Sequence, residues 1–315
     1  MFSAKEYILE VYKTHNFSKA AQNLYISQPS LSATIKRLEE KIGEPIFDRS
    51  TYPIKLTECG LKYIEVAQSI SSAESDFKAY LEDVHNCNTG NLSIGGSNFM
   101  ISYVLPKEIR KFRSQYSNIK LNIVEGDISP MLEKLYCGEI DLLIDACEIN
   151  SKKYVEFKYT PETLLLAIPE SFSCNEQLKS YGLTKNDILK NIHLLEKTPI
   201  LPLHLVKNEP FIFMKPDTDT YKKSVKLFEN ENIKPNIILS FSQQVTTFNM
   251  ACNEVGLALI SDTLIKNIAF YPSLVFYKIG DSDIRRDICF YKKRGKRLTC
   301  AMRAFLMSLQ ITFEE

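Results

Sequence analysis

Apolar residues recur at helical spacing in three short blocks at the N-terminus. Tyr7, Ile8, Val11 and Tyr12 form an apolar side over about residues 3–14, the recurrence of an amphipathic helix. "HNF" interrupts it. Ser18 is placed to cap a second helix, "KAAQNLY", whose Ala20 and Ala21 allow close helix–helix approach. Ser27 is placed to cap a third, with Pro29 in its first turn, where a missing N–H costs nothing. Within that third helix Leu31, Ile35, Leu38 and Ile42 fall in one narrow stripe. Two helices joined by a turn of about three or four residues form a helix-turn-helix pattern. "PIFDRSTYPIKLTECG" (45–60) then predicts two short strands around a turn at Ser50-Thr51-Tyr52-Pro53, which makes the unit a winged helix-turn-helix.

The pattern changes twice more. After Gly60, Tyr63, Val66, Ile70, Ala73, Phe77, Tyr80 and Val84 recur at three and four, an a/d seam on one long helix that ends at Gly90. At the usual rise such a helix is about 40 Å long, and its seam suits pairing with an identical helix. From residue 91 short apolar runs, "LSIGG", "IKLNIVEG" and "DLLIDA", alternate with helical stretches, "ISYVLPKEIRKFRSQY" and "SPMLEKLYCGE", with Ser129 and Pro130 as cap and first-turn residue. That is β-α-β-α-β, a parallel sheet covered by helices. "TLLLAIP" (163–169) starts a second series, and the chain then returns through "LVFYKI" and "RRDICFYKKR" to a last helix. The expected organisation is α/β: a winged helix-turn-helix over 1–60, a linker dimerisation helix over 61–89, and a two-lobed domain over 90–315. Lobe 1 takes about 90–163 and 271–315, and lobe 2 about 164–270.

The third helix turns Pro29, Ser30, Ser32, Ala33, Lys36 and Arg37 away from its apolar stripe. This face is small and polar at its N-terminal end and basic further along. Short side chains there would let the backbone approach base edges in a major groove. Lys36 and Arg37 could reach phosphates or guanines, and Arg49 and Lys55 flank the wing tip. A solvated face on an ordinary amphipathic helix would show the same periodicity. Residues 1–60 hold eight basic and seven acidic residues, so any basic patch is local.

"NFSKAAQNLYISQPSLSATIKRLEEKIGEPIFDRS…IKLTECG" resembles the DNA-binding domain of LysR-type transcriptional regulators. The matching positions are Phe17 to Leu24, Ser27 to Ser32, Leu38 to Arg49, and Leu56 to Gly60. Ala33 departs from the family, which often has Arg there at a sequence-reading position, so operator preference does not carry over. The α/β half also resembles the family's effector domain, which is similar to periplasmic binding proteins. "EVGLALIS" fits less well there, with Asn253 and Leu257 in place of small residues, and residues 170–210 fit least. The resemblance implies Ser27, Gln28, Pro29, Ser30, Ser32, Ala33, Lys36, Arg37, Arg49, Lys55 and Thr57 as DNA-contacting residues. Its implied partners are double-stranded DNA, a small-molecule effector, RNA polymerase and further copies of the chain, as dimer or tetramer.

Composition adds exclusions. The 315 residues are 44% hydrophobic and 24% charged with a net charge of +1, ordinary for a globular protein with no overall basic field. No apolar run is long enough for a bilayer and no signal peptide is legible, so a cytoplasmic protein without membrane partner is expected. The eight cysteines and four histidines are scattered. Free thiols are expected, with no metal site, no cofactor and no Cys-His nucleophile. Peroxide-sensing members of the family use a cysteine pair in the second lobe, but no cysteine lies between Cys174 and Cys252.

Ligands of open α/β sheets bind beyond the carboxyl ends of strands, where helix N-termini point. The residues at those places are Ser97, Asn98 and Phe99; Asp145 and Ala146; Thr218 and Asp219; and Gln244, Val245 and Thr246. Any one Ser or Thr among them could be a plain helix cap. Two acids would repel a simple carboxylate unless paired, which leaves an amine or a polyhydroxy ligand as credible as an organic acid. The alternatives are a regulator without effector and a cytoplasmic enzyme. The enzyme lacks a Gly-rich phosphate loop, since "IGGS" has the wrong spacing, and lacks clustered catalytic groups.

Overall fold

In a computed structural model the described residues are 2–50, 53–85, 90–280 and 282–313, with only the backbone described at 72, 75, 76, 78–85 and 282. The chain divides into two compact units, one built on Met1–Ala79, the other on Tyr80–Leu135 and Glu139–Glu315.

The first unit holds helices α1 (Lys5–Thr14), α2 (Phe17–Asn23) and α3 (Gln28–Ile42), strands β1 (Phe47–Asp48) and β2 (Lys55–Leu56), and the start of α4 (Glu58–His85). Leu31, Ile35 and Leu38 are buried with Ile8, Val11, Ala20, Phe47 and Tyr63 in one core. Each of the leucine, isoleucine, valine and phenylalanine side chains contributes about 1.5–3 kcal/mol when fully buried. The cap of α2 is Asn16, not Ser18: the Asn16 side chain accepts the Lys19 N–H. An Asn cap one residue earlier lets Phe17 enter the core as the first helical residue. Ser27 caps α3 as expected, and Gly43 ends it at φ 88°.

Glu39 ties α3 to the wing. It accepts the N–H groups of Ile46 and Phe47 at 2.9 and 3.2 Å and the Arg49 guanidinium at 2.9 Å. β1 and β2 pair antiparallel, Phe47 with Leu56 and Asp48 with Lys55. Thr51 and Tyr52 of the turn lie outside the described residues. A Cβ on Gly60 would stand 2.0 Å from the Ile46 carbonyl oxygen, so only glycine lets α4 approach the wing. Tyr63 departs from the expected seam. It is buried in this core with Ile64 and Ala67, because the first turns of α4 pack on their own domain. Tyr80 and Val84 lie outside the described side chains.

The second unit contains β3 (Gly90–Gly96), α5 (Leu105–Gln115), β4 (Ile119–Glu125), α6 (Ile128–Cys137), β5 (Leu142–Asp145), β6 (Tyr154–Pro169), β7 (Gly182–Leu183) and α7 (Lys185–Leu189). It continues with β8 (Pro210–Met214), α8 (Asp219–Asn230), β9 (Asn236–Phe241), α9 (Gln244–Cys252), β10 (Leu257–Ser261) and α10 (Asp262–Asn267). β11 (Leu274–Tyr277), β12 (Arg285–Lys293) and α11 (Cys300–Ser308) complete it. The strands run β4-β3-β5-β12-β6-β10-β8-β9, with β11 and β7 branching from β6. β3 is parallel to β4 and β5, and β8 is parallel to β9 and β10.

β6 is longer than "TLLLAIP" predicts. Its first part pairs with β12 and its second with β10 and β11, so one strand serves both halves of the sheet. β11 pairs with β6 and β7 in the second half, which corrects the placing of lobe 1 from residue 271. The return comes only with β12, because Leu274 and Phe276 pack against the second half before the chain crosses. α6 starts at Ile128, so Ser129 lies inside its first turn instead of capping it.

The apolar core is continuous on one face of the sheet, joining Leu92, Ile94 and Phe290 to Leu165, Ile212 and Phe305. Elsewhere it forms two separate clusters, one around Leu143 and Tyr154, the other around Leu166, Phe211 and Phe228. A Cβ on Gly256 would stand 2.6 Å from the Pro210 carbonyl, so glycine is needed where β8 and β10 enter side by side.

Candidate nucleic-acid interface and effector cleft

In the first unit, Ser27, Gln28, Pro29, Ser30, Ala33, Lys36 and Arg37 are exposed and Ser32 is half-buried, all on the outer side of α3. The stripe residues face the core, so burial assigns the faces as periodicity predicts. Lys55 on the wing is exposed. Two residues are also engaged within the domain. Arg49 pairs with Glu39 and lies over the Phe17 ring, 5.2 Å from its centroid, so its charge braces the wing. Thr57 caps α4, accepting the Gly60 N–H at 2.9 Å and donating to the Pro45 carbonyl at 2.6 Å. Sequence reasoning passed over Tyr25, 96% exposed and at φ 56° in the turn before α3.

In the second unit a cavity of about 590 Å³ lies between the two halves, within the usual range for a small-molecule site. Ser97, Phe99, Asp145, Ala146, Thr218, Asp219 and Gln244 line it. Asn98, Val245 and Thr246 do not. Asn98 turns outward and donates to Glu125 at 2.9 Å. Val245 packs on the core. One helical step of 100° carries positions 245 and 246 off the face that Gln243 and Gln244 present. Phe99 and Met100 enter the cavity where a π-helical turn, Met100–Val104, precedes α5, a distortion common at functional sites.

The residue missed from sequence is Arg286. Its side chain is 9% exposed. Nε and Nη2 lie 2.7 Å from Glu162 Oε1, and Nη1 lies 3.0 Å from Asp219 Oδ2 and from Thr220 Oγ1. Burial alone would lower its pKa, but the Glu162 and Asp219 carboxylates outweigh that and raise it. Asp145 accepts the N–H groups of Ala146 and Cys147 at 2.8 and 2.9 Å. Burial nonetheless pushes its carboxyl above the usual range. Gln243 donates to Asp127 at 2.6 Å, joining the two halves at the cleft.

Burial also pushes the Cys147 thiol up, helped by Asp145. Cys174 and Cys252 rise to about 11 and Cys289 to about 12 by burial, so these groups are thiols, not reactive thiolates. Cys300 is disulfide-bonded, a departure from free thiols throughout, since pairing follows spatial approach that spacing does not show.

Residues 2–61 match the family described as bacterial regulatory helix-turn-helix protein, lysR family, and residues 85–313 match the LysR substrate binding domain. The chain belongs to the LysR family. Its relatives include the uncharacterized HTH-type transcriptional regulator YcgK of Bacillus subtilis (strain 168), 25% identical over 314 residues, which are 98% of this chain and 95% of the relative. YwbI of the same organism is 26% identical over 301 residues, 95% of this chain and 92% of the relative. Among solved structures, full-length CbnR complexed with its target DNA has a TM-score of 0.63 at 16% identity, covering 98% of this chain and 99% of that one. Full-length OxyR from Pseudomonas aeruginosa has a TM-score of 0.64 at 16% identity, covering 98% and 97%. These likenesses carry the fold. The LysR-type chain is therefore a transcriptional regulator and not an enzyme. Among the described residues no helix is long and apolar enough to cross a membrane.

Proposed function

We propose that this LysR-type regulator reads operator DNA with the outer face of α3 and holds phosphates with Lys36, Arg37 and Lys55. In this reading it pairs with a second copy through α4. A small molecule in the cleft of the second unit controls how it acts on RNA polymerase, in the cytoplasm. Residues 1–60 bind DNA, 61–89 link, and 90–315 take the effector. The observation that carries the effector part is the cavity, lined from both halves of the sheet at the places where strands end and helices begin. CbnR, seen with its target DNA, supports the DNA part.

Base reading and phosphate holding separate by their salt behaviour. Gln28→Ala and Ser32→Ala should each lower the ratio of operator to random-DNA affinity, by up to the about 1–3 kcal/mol that a base contact supplies. Lys55→Ala should weaken both kinds of binding alike and make the salt slope shallower by about one unit. Fluorescence anisotropy on operator and scrambled duplexes measures both. Equal losses on the two duplexes for Gln28→Ala would remove it from the reading face.

On α4, Val66, Ala73 and Phe77 are exposed, Phe77 by 61%. This apolar flank supports pairing with an identical helix. Ile70→Glu with Phe77→Glu would place charges in that surface, a cost of several kcal/mol, about enough to dissociate the pair at micromolar concentration. Sedimentation velocity should show a smaller species. An unchanged assembly would move the contact elsewhere, for example to edge strand β9, whose Ile237, Ile238 and Leu239 are exposed.

A further inference from the structure

The cleft sorts ligands by charge. Its lining cations are Arg286, Lys153 and Lys222; both lysines are exposed, and the Arg286 side chain is 9% exposed. The Arg286 guanidinium is already held by Glu162, Asp219 and Thr220. Glu162 is fully buried, and its Oε2 has no hydrogen-bond partner among the described residues. A carboxylate ligand that drew Arg286 to itself would leave Glu162 buried and uncompensated, a strongly unfavourable exchange. Helix N-termini would ordinarily favour an anion here. However, the chain has put its own carboxylates there: Asp127 precedes α6, and Asp219 is the first residue of α8.

The lining is therefore acidic on balance, with Asp127, Asp145, Glu148, Asp217 and Asp219 against Arg286 and the two lysines. Asp145, Cys147 and Asp219 line the cavity together, and both carboxylates act electrostatically on the Cys147 thiol. Burial makes the Asp145 charge costly, a cost that an adjacent positive group offsets. Phe99, Met100 and Met214 supply apolar wall. We propose that the cleft takes a small molecule with a primary amine or guanidine on a short apolar body, its positive group between Asp145 and Asp219. The proposal rests on the reading of this cleft as the effector site.

Thermal unfolding of the full chain tests it with named probes. The amines are phenethylamine, agmatine and cadaverine; the acids matched to them in size are hydrocinnamate and pimelate. An amine should raise the midpoint in a concentration-dependent way, and the acids should not. Asp145→Asn should weaken that amine by about tenfold or more, the scale of a lost charge-assisted contact, and Asp219→Asn likewise. Asn keeps an acceptor for the Ala146 and Cys147 N–H groups; should Asp145→Asn fail to fold, Asp219→Asn carries the comparison. An amine shift indifferent to these substitutions overturns the assignment. Acids that raise the midpoint in the wild type but not in Ser97→Trp, which fills the cleft, overturn the amine class and leave the effector site standing. No shift from either class overturns both.

Discussion

Arg286→Met should destabilise the second unit by about 3–5 kcal/mol, the cost of breaking a buried ion pair from one side. Glu162 is the reason. It is fully buried, its Oε1 has Arg286 at 2.7 Å, and Oε2 has no partner among the described residues to take up the loss. The double substitution Arg286→Met with Glu162→Leu removes both charges and should recover most of the loss, since apolar replacement of a whole pair is often close to neutral. The chain has no tryptophan, so urea unfolding is best followed by circular dichroism. A single variant within 1 kcal/mol of wild type, on the scale of an exposed pair, would mean that water reaches Glu162.

Asp262→Asn should cost about 3 kcal/mol at neutral pH, the scale for a buried carboxylate that loses charged partners. The carboxylate is 3% exposed. It accepts the Thr163 N–H at 2.8 Å and Lys266 Nζ at 2.7 Å, and it lies 3.0 Å from His193 Nε2. Burial alone would raise its pKa, but the hydrogen bonds from His193, Lys266 and Thr163 outweigh burial and lower it. A carboxyl lowered by folding gives stability that is present above the unfolded value of about 3.9 and is lost as pH falls through the folded value. The gap between wild type and Asp262→Asn should thus be full at neutral pH and close below about pH 4. Thermal midpoints across that range would show it. A gap that is unchanged at acid pH would assign the loss to packing instead of charge.

The parts of the molecule that were legible in the sequence are those where a local pattern decides the structure. The Leu31, Ile35, Leu38 stripe faces inward because spacing alone sets which side of α3 is apolar. Strands such as "NIILSF" and "LALIS" were legible for the same reason. The first half of β6 was not. "YVEFKYTPE" alternates Val155, Phe157 and Tyr159 with polar residues, but Pro161 interrupts it, and only pairing with β12 makes it one strand with "TLLLAIP". Residues 170–210 form short 3₁₀ turns, β7 and α7, too brief for any period to emerge. In the cleft, Ser97, Asp145 and Thr218 were legible as strand-end residues. Arg286 was not, because it meets Glu162 across 124 positions of sequence, and only the register of β12 on β6 brings them together.

β6 runs unbroken through both halves of the sheet, and the core on one side of that sheet is continuous while the other is split. Mechanically this is a leaf spring with a notch. A ligand that draws the notch shut cannot slide one half past the other, since the continuous side would have to give up close-packed contacts. It can only flex the shared strand. In the proposed reading, an effector in the cleft would therefore act by a small bend of this shared strand against a stiff restoring force. In that reading a signal from this unit would be carried by direction and leverage, and not by the distance moved.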